Sequence, residues 1–289
     1  MRGIIVASLA LTAVFASAQT RVRDVIYMKS GGCAYTMDVF KPKTSNHKAI
    51  VWMVSGGWVS NHEGINPMLA APFNEKGFTV FQVVHGSQPK YTIPEIIPMV
   101  RRAVRFVRDN AATYDVLPNA IGVCGGSAGG HLSLEIAGLG DDGDPNAKDP
   151  VDRVSSKADA VVAFFPPTDF ENWGSTGVTP FTVPGMQVFF PAFGVTKDTP
   201  KDTLQKVGHD LSPIRLVKAG FPPTLLVHGD ADMLVPVQQS KLMDAAFEAA
   251  HVTHRLLVIH GTGHDGNTMM KGLAATLDWF DKYLPASKN

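Results

Sequence analysis

Short runs of consecutive apolar residues alternate along the chain with segments in which apolar residues recur every three or four positions. The continuous runs, which are typical of strands buried on both faces of a sheet, occupy residues 49–54, 78–84, 120–124, 158–165, 223–228 and 255–259. The helical spacing is found at residues 94–110, 237–250 and 268–283. This alternation predicts an α/β fold with a mainly parallel sheet and helices on both faces.

Two further strands are predicted near the start of the chain. Residues 25–29 and 35–40 are joined through Gly31-Gly32, a pattern typical of paired strands. They bring the predicted sheet to eight strands.

The segment of residues 171–216, after the sixth strand, is rich in Pro, Gly and Phe and has poor periodicity. A long irregular insertion in a compact domain is usually functional, for example as a lid or a pocket wall. Its large aromatic residues are expected either to line an apolar pocket or to anchor the insertion to the domain; they are Trp173, Phe181, Phe189, Phe190 and Phe193.

The first eighteen residues have the pattern of a secretory signal peptide. A positive start at Arg2 is followed by the apolar run 3–15 and by the cleavage signal Ala16-Ser17-Ala18. We expect cleavage after Ala18, a catalytic domain spanning residues 19–289, and export to the periplasm or out of the cell. A stable membrane anchor is not expected, because a span needs about 20 apolar residues.

Composition and charge narrow the function classes. Lys plus Arg number 26 and Asp plus Glu number 26, so the chain lacks the basic excess of a nucleic-acid-binding protein. Two cysteines are too few for a disulfide scaffold or a four-thiolate zinc site. Cys124 ends a run that predicts a buried strand, so Cys33 and Cys124 are expected to be separate free thiols.

The strongest chemical signal is the stretch Gly125-Gly126-Ser127-Ala128-Gly129, which matches G-x-S-x-G. It directly follows the apolar run 120–124 and precedes a helical stretch at residues 131–139. Between a strand and a helix, this motif forms a sharp turn that exposes the serine hydroxyl at the edge of the sheet. Ser127 is therefore the candidate nucleophile, and His131 is expected to pack or to bond a carbonyl.

A catalytic serine needs a base and an acid that orients the base. In this architecture they follow the serine in the order acid, then histidine. The loop after residues 223–228 offers Asp230 and Asp232, and the loop after residues 255–259 offers His260 and His264. The spacing leaves both choices open: Asp230 could instead brace its loop, and His260 could be a partly buried structural histidine.

Acyl transfer also needs donors for a tetrahedral oxyanion. One is expected to be the backbone N–H of Ala128, next to the nucleophile. The second is expected from the loop Ser55-Gly56-Gly57-Trp58, because paired glycines let backbone amides point into a site without interference from side chains.

Taken together, these motifs resemble the α/β-hydrolase superfamily, and within it the esterase and lipase branch that includes acetylxylan and feruloyl esterases and hormone-sensitive-lipase-like enzymes. The resemblance rests on residues 37–42, 56–58, 125–132, 212–214, 223–229 and 263–264. It implies an α/β-hydrolase fold, a catalytic acid at Asp232 and a catalytic histidine at His264.

One position departs from the family pattern. The family has His-Gly-Gly-Gly-Trp where this chain has Val54-Ser55-Gly56-Gly57-Trp58. The backbone donors are then expected at Gly57, with Gly56 or Trp58 beside it. Ser55 is small and can hydrogen-bond locally in place of the missing histidine.

The resemblance implies a secreted serine carboxylesterase that acts through an acyl-enzyme on Ser127. Its expected substrates are small-molecule or polysaccharide-linked esters with short acyl, acetyl or feruloyl groups, and no metal or organic cofactor is expected. Two alternatives are a peptidase of the prolyl-oligopeptidase type, which usually carries a large extra N-terminal domain, and a non-catalytic binding protein on the same fold.

Overall fold

The computed structural model describes residues 20–286 of the chain. The expected signal peptide and its cleavage site after Ala18 lie outside the described residues. Within them, the strands are β1 Thr20–Ser30, β2 Cys33–Lys41, β3 Ala49–Val54, β4 Thr79–Val84, β5 Ile121–Gly126, β6 Ala160–Phe164, β7 Thr224–Gly229 and β8 His254–Ile259. The α-helices are α1 Pro67–Glu75, α2 Ile93–Asp109, α3 Ala128–Leu139, α4 Lys201–Asp210, α5 Gln238–Ala249 and α6 Gly266–Tyr283.

In this part of the chain the strands form one eight-stranded sheet in the order β1-β2-β4-β3-β5-β6-β7-β8. The pairs β1–β2 and β2–β4 are antiparallel, and every other neighbouring pair is parallel. The predicted mainly parallel sheet of eight strands is thus confirmed. Since β3 and β5 to β8 run in one direction, the loops that follow them leave the sheet at the same edge.

Helices cover both faces of the sheet, as predicted. Side chains of β3 alternate between two apolar cores, because successive residues of a strand point to opposite faces. Ala49, Val51 and Met53 pack in the core with α2, α3 and α5, whereas Ile50 and Trp52 pack in the core with α1 and α6. The continuous apolar run at residues 49–54 reflects burial on both sides.

Two helices were not predicted. The sequence of α1 contains Pro72, which lacks a backbone N–H and weakens the helical signal. The second, α4, lies inside the 171–216 insertion, where buried apolar positions are few. Both thiols are free as expected: Cys124 is buried in β5, and Cys33 is partly exposed at the start of β2.

Candidate active site

Ser127 occupies a sharp turn between β5 and α3. Its backbone angles are φ 54° and ψ −121°, a region that non-glycine residues rarely adopt and that is typical of functional sites. Two hydrogen bonds of 2.9 Å hold this backbone: the Ser127 N–H donates to Phe164 O, and the Ser127 carbonyl accepts from the His131 N–H. The turn leaves the half-buried Ser127 side chain on the wall of a cleft of about 650 Å³.

The glycines of the motif allow the strand and the helix to approach closely. A Cβ atom on Gly125 would lie 2.5 Å from the Gly129 carbonyl carbon, and a Cβ atom on Gly129 would lie 2.8 Å from Met53 O. Neither contact is sterically possible, so only glycine fits at these two positions. The motif is therefore explained by the packing that creates the turn at Ser127.

Asp232 lies in the loop after β7, and its carboxylate has four polar contacts. Oδ1 accepts hydrogen bonds of 2.9 Å from the N–H groups of Leu234 and Val235. Oδ2 lies 2.7 Å from His264 Nδ1 and 3.4 Å from His228 Nε2. Burial alone would raise the pKa of Asp232, but these hydrogen bonds, led by those from His228 and His264, hold the pKa well below its usual range.

His264 lies in the loop after β8 and contacts both Asp232 and the cleft. With a carboxylate 2.7 Å from Nδ1, the proton of the neutral imidazole belongs on Nδ1, and Nε2 keeps its lone pair. The imidazole packs against the Phe165 ring at a centroid distance of 4.4 Å, which restricts its orientation.

The structure thus brings Ser127, His264 and Asp232 together around one cleft. Ser127 and His264 line it, and Asp232 contacts His264 from behind. Among residues 20–286, the Ser127 hydroxyl has no hydrogen-bond partner. Contacts between a nucleophile and its base are often long in a protein without substrate.

Asp230 and His260, the alternatives to Asp232 and His264, contact each other and not the residues of the cleft. His260 Nδ1 lies 2.7 Å from Asp230 Oδ2, and Asp230 Oδ1 accepts a hydrogen bond of 2.7 Å from the Gly261 N–H. Asp230 therefore braces its loop, as one of the sequence alternatives proposed. The alternative for His260 was wrong: its side chain is 98% exposed rather than partly buried. Neither residue lines the cleft.

The loop after β3 turns back on itself beside Ser127. Gly56 and Val59 exchange two backbone hydrogen bonds of 3.0 Å, so the Gly56 N–H is already used. This corrects the expectation that Gly56 can serve as an oxyanion donor. Within residues 20–286 the N–H groups of Gly57 and Trp58 donate to no protein acceptor. Of these two residues, only Gly57 lines the cleft, and the Ala128 N–H lies at the first turn of α3, next to Ser127.

Other residues hold this loop in place of the histidine that the family pattern would supply. Gln88 Nε2 donates a hydrogen bond of 2.6 Å to Gly57 O. The buried Trp58 ring lies edge-on to His131, and its Nε1 donates to His131 Nδ1 at 3.4 Å. The expected local hydrogen bond of Ser55 is absent from the described residues, where its buried hydroxyl has no partner.

His131 behaves as a structural residue, as expected. Its Nε2–H donates to Leu211 O at 2.9 Å, and burial lowers its pKa to about 4. The neutral ring can therefore accept from Trp58 on one side while it donates on the other.

Residues 37–247 match the family model named BD-FAE. The chain belongs to the BD-FAE family. The resemblance to α/β-hydrolase esterases, drawn above from the sequence motifs, is thereby confirmed.

Individual relatives of this BD-FAE protein are named as esterases. Esterase LipC of Mycobacterium tuberculosis is 27% identical over 236 residues, which make up 80% of this chain and 57% of LipC. An acetylxylan esterase of Xylanibacter ruminicola is 34% identical over 143 residues, 47% of this chain and 28% of that protein. The chain spans about half the length of the first curated relatives it matches.

Solved structures share the BD-FAE protein's fold over most of its length. A truncated form of a carbohydrate esterase from gut microbiota superposes with a TM-score of 0.77 at 26% identity. The match covers 91% of this chain and 96% of that chain. The shared fold therefore extends over nearly the whole of this chain.

The aromatic residues of the insertion mainly anchor it to the BD-FAE domain. Phe193 lies within 5.1 Å, between ring centroids, of Trp58, Phe170 and Phe181. Only about 20 Å³ of free space remains among these rings. Phe189 is the exception, because it lines the cleft beside Gly57.

Two residues that contact the site were not identified from the sequence. His228 is fully buried at the end of β7, where Nδ1 lies 2.7 Å from Ser240 Oγ and Nε2 lies 2.9 Å from Val235 O. Phe165 follows β6 with φ 36° and packs on His264. Both residues lie at the ends of parallel strands, where ligand sites in such sheets occur. Their positions in the sequence could therefore have indicated them.

Within residues 20–286, no helix has the length and apolar character needed to span a bilayer. The same residues contain no group of three or more His, Cys, Asp or Glu side chains placed to hold a metal ion.

Proposed function

We propose that this BD-FAE protein hydrolyses carboxylic esters through an acyl-enzyme formed on Ser127. The observation that carries the proposal is the 2.7 Å contact between Asp232 and His264 at a cleft that His264 shares with Ser127. This chemistry needs three parts: a serine on a strained turn, a neutral imidazole with a free Nε2, and a buried carboxylate behind the imidazole.

In the first half of the reaction, His264 Nε2 takes the proton of Ser127 as its Oγ attacks the ester carbonyl carbon. The carbonyl oxygen becomes an oxyanion and accepts hydrogen bonds from the N–H groups of Gly57 and Ala128. The imidazolium, stabilised by the Asp232 carboxylate, then donates its proton to the leaving alcohol, and the acyl group remains on Ser127.

In the second half, His264 Nε2 takes a proton from water, which attacks the acyl carbon. The tetrahedral intermediate collapses when His264 returns the proton to Ser127 Oγ, and the acid is released. Asp232 keeps its negative charge throughout, consistent with hydrogen bonds that hold its pKa below the usual range.

The proposed substrates are esters with short acyl groups, or acetyl and feruloyl esters linked to carbohydrate. The similarity to an acetylxylan esterase supports this choice.

We also propose export of the protein, on the strength of the apolar run and the Ala16-Ser17-Ala18 pattern at its start. N-terminal sequencing of the protein recovered from its native compartment would show Gln19 first if this is correct.

A substrate panel tests the function. It contains p-nitrophenyl acetate and butyrate, methyl ferulate, acetylated xylan and, for the peptidase alternative, a prolyl p-nitroanilide. We expect ester hydrolysis that is lost in Ser127→Ala and kept in Ser155→Ala, a matched change at a half-buried serine outside the cleft. Cleavage of the anilide without ester hydrolysis would contradict the proposal.

A further inference from the structure

A second concave surface lies beside the cleft that contains Ser127. It is a groove of about 220 Å³ between α1 and α6. The groove and the cleft share four lining residues, namely Trp52, Leu69, Gly266 and Met269. The groove and the cleft therefore adjoin along these four residues.

The groove has an aromatic floor and aliphatic walls. Trp52 forms the centre of the floor, with ring centroids 6.4 Å from Phe73 and 6.1 Å from Phe164. The walls are formed by Met68, Leu69 and Pro72 from α1 and by Met269, Met270 and Leu273 from α6.

The groove has few polar groups. Asn66 lines it, but its Oδ1 accepts from the Met68 N–H at 2.9 Å, and its backbone N–H and carbonyl are both bonded to Gln82. No charged side chain is among the described residues that line the groove. A ligand there would gain mainly from burying apolar surface.

Two methionines stand exposed at the rim of the groove. Met68 is 78% exposed on α1, and Met270 is 69% exposed on α6. Exposed apolar side chains gathered around a concavity usually mark a binding site. Methionine suits a site for flexible chains, because its unbranched side chain adapts to different shapes.

We propose that the groove binds the apolar chain of the ester substrate while the ester carbonyl lies at Ser127. This inference rests on the proposed function and extends it to the substrate class. A methylene group occupies about the volume of a water molecule, roughly 30 Å³, so the groove accommodates about seven methylenes. The groove therefore extends the proposed substrates beyond short-acyl and carbohydrate-linked esters, to esters that carry an unbranched chain of medium length on the acyl or the alcohol side.

Chain length should then control the rate. Moving one methylene from water to an apolar surface contributes up to roughly 0.8 kcal/mol, equivalent to about fourfold in kcat/KM. Because the groove is open on one side, we expect a two- to fourfold rise per methylene. The rise should stop when the groove is full.

Two ester series locate the chain. p-Nitrophenyl esters from acetate to dodecanoate carry it on the acyl side, and n-alkyl acetates from ethyl to decyl carry it on the alcohol side. Both are measured with the wild-type protein, with Met270→Lys and with Met68→Lys, which place a charge at opposite rims. Ala274→Lys is the matched control, since it adds the same charge one turn further along α6 and outside the groove.

In each series we compare kcat/KM for a long-chain ester with kcat/KM for the shortest ester. We expect this ratio to rise with chain length in at least one series. Met270→Lys and Met68→Lys should each lower this ratio about tenfold, because an apolar chain bound beside the lysine would remove water from an unpaired charge. Ala274→Lys should keep the ratio of the wild type. The series in which the ratio rises with length and falls in the two variants shows whether the groove binds the acyl chain or the alcohol chain.

Acetate hydrolysis with a flat chain-length profile would overturn the groove proposal and leave the proposed function intact. So would a ratio in Met270→Lys and Met68→Lys equal to that of Ala274→Lys. If light scattering showed that Met270→Lys dissociates a dimer without changing the ratio, the groove would be an interface between copies of the chain. Failure of the wild-type protein to hydrolyse any ester, acetate included, would instead overturn the proposed function.

Discussion

His260 Nδ1 lies 2.7 Å from Asp230 Oδ2, the same distance that joins His264 Nδ1 to Asp232 Oδ2. The chain therefore carries two Asp–His pairs on the same two loops, and distance alone does not tell them apart. Burial does: the His260 side chain is 98% exposed and that of His264 is 16% exposed. An exposed pair contributes little, because water and salt screen it.

The two pairs should respond very differently to substitution. Asp232→Asn and His264→Ala should each lower kcat by about 10³-fold or more, because the imidazole loses its tautomer or is removed. Asp230→Asn and His260→Ala, the matched changes in the exposed pair, should cost about tenfold or less. Steady-state kinetics on the four variants, with circular dichroism as the folding control, measures this. A larger loss in the Asp230 or His260 variant would show that the general base belongs to the exposed pair and not to His264 and Asp232.

The backbone donor at Gly57 gives a second prediction. Gly57→Pro removes the N–H, and its fixed φ near −65° is incompatible with the observed φ of 56°. We expect kcat to fall by roughly 10²-fold or more, in line with the loss of one oxyanion donor. Ser55→Ala serves as the control in the same loop. Because the Ser55 hydroxyl has no partner in the described structure, its removal should change kcat by less than about tenfold.

A folded Gly57→Pro variant with near-normal kcat would show that the second oxyanion donor lies elsewhere. A large loss in Ser55→Ala would show that this hydroxyl contacts the substrate.

Glu135 makes stability depend on pH. It is buried in α3, 3.7 Å from the neutral His131, and burial raises its pKa from 4.5 to about 8. Between these two values the folded protein holds a proton that the unfolded chain has released. Raising the pH therefore favours unfolding, by up to about 1.4 kcal/mol per pH unit. Below pH 4.5 and above about pH 8 this contribution no longer changes with pH.

Glu135→Gln removes this titration. Its free energy of unfolding, relative to wild type, should rise steadily between about pH 5 and pH 8. Urea unfolding at a series of pH values measures the difference, and the exposed Glu63→Gln should follow the wild type. A constant difference between Glu135→Gln and wild type across this range would show that Glu135 is already charged in the folded protein.

The alternation of strands and helices could be predicted because most strands are buried on both faces and so form continuous apolar runs. The sharp turn at Ser127 was equally visible, since the close approach of β5 and α3 admits only glycine at positions 125 and 129. By contrast, α1 has an internal proline and few buried residues, so its spacing carried no clear signal.

The bracing of the site could not be predicted, because it depends on contacts between residues far apart in the chain. Trp58 and His131 are separated by 73 positions, and their contact depends on how α3 packs beside the loop after β3. The same is true of Phe165, which reaches His264 from a different strand end. Gly56 cannot donate to an oxyanion because its N–H is bonded to Val59 O. A pair of adjacent glycines in the sequence does not indicate this hydrogen bond.

Removal of the nucleophile should abolish activity without unfolding the protein. Alanine at position 127 has the same backbone restrictions as serine, so the strained φ of 54° costs both residues about equally. We expect Ser127→Ala to lower kcat by roughly 10³-fold or more, leaving only the contributions of substrate binding and the oxyanion donors. Thermal unfolding close to that of wild type is the control.

The most direct test of the account is covalent labelling of the nucleophile. The protein is treated with a serine-directed organophosphate, and the modified residue is mapped by peptide mass spectrometry while esterase activity is followed. The account predicts one phosphoryl group per chain, located on Ser127, with activity lost in proportion to labelling and no labelling in Ser127→Ala. Inactivation with the label on another residue, or a fully labelled Ser127 with activity retained, would contradict it.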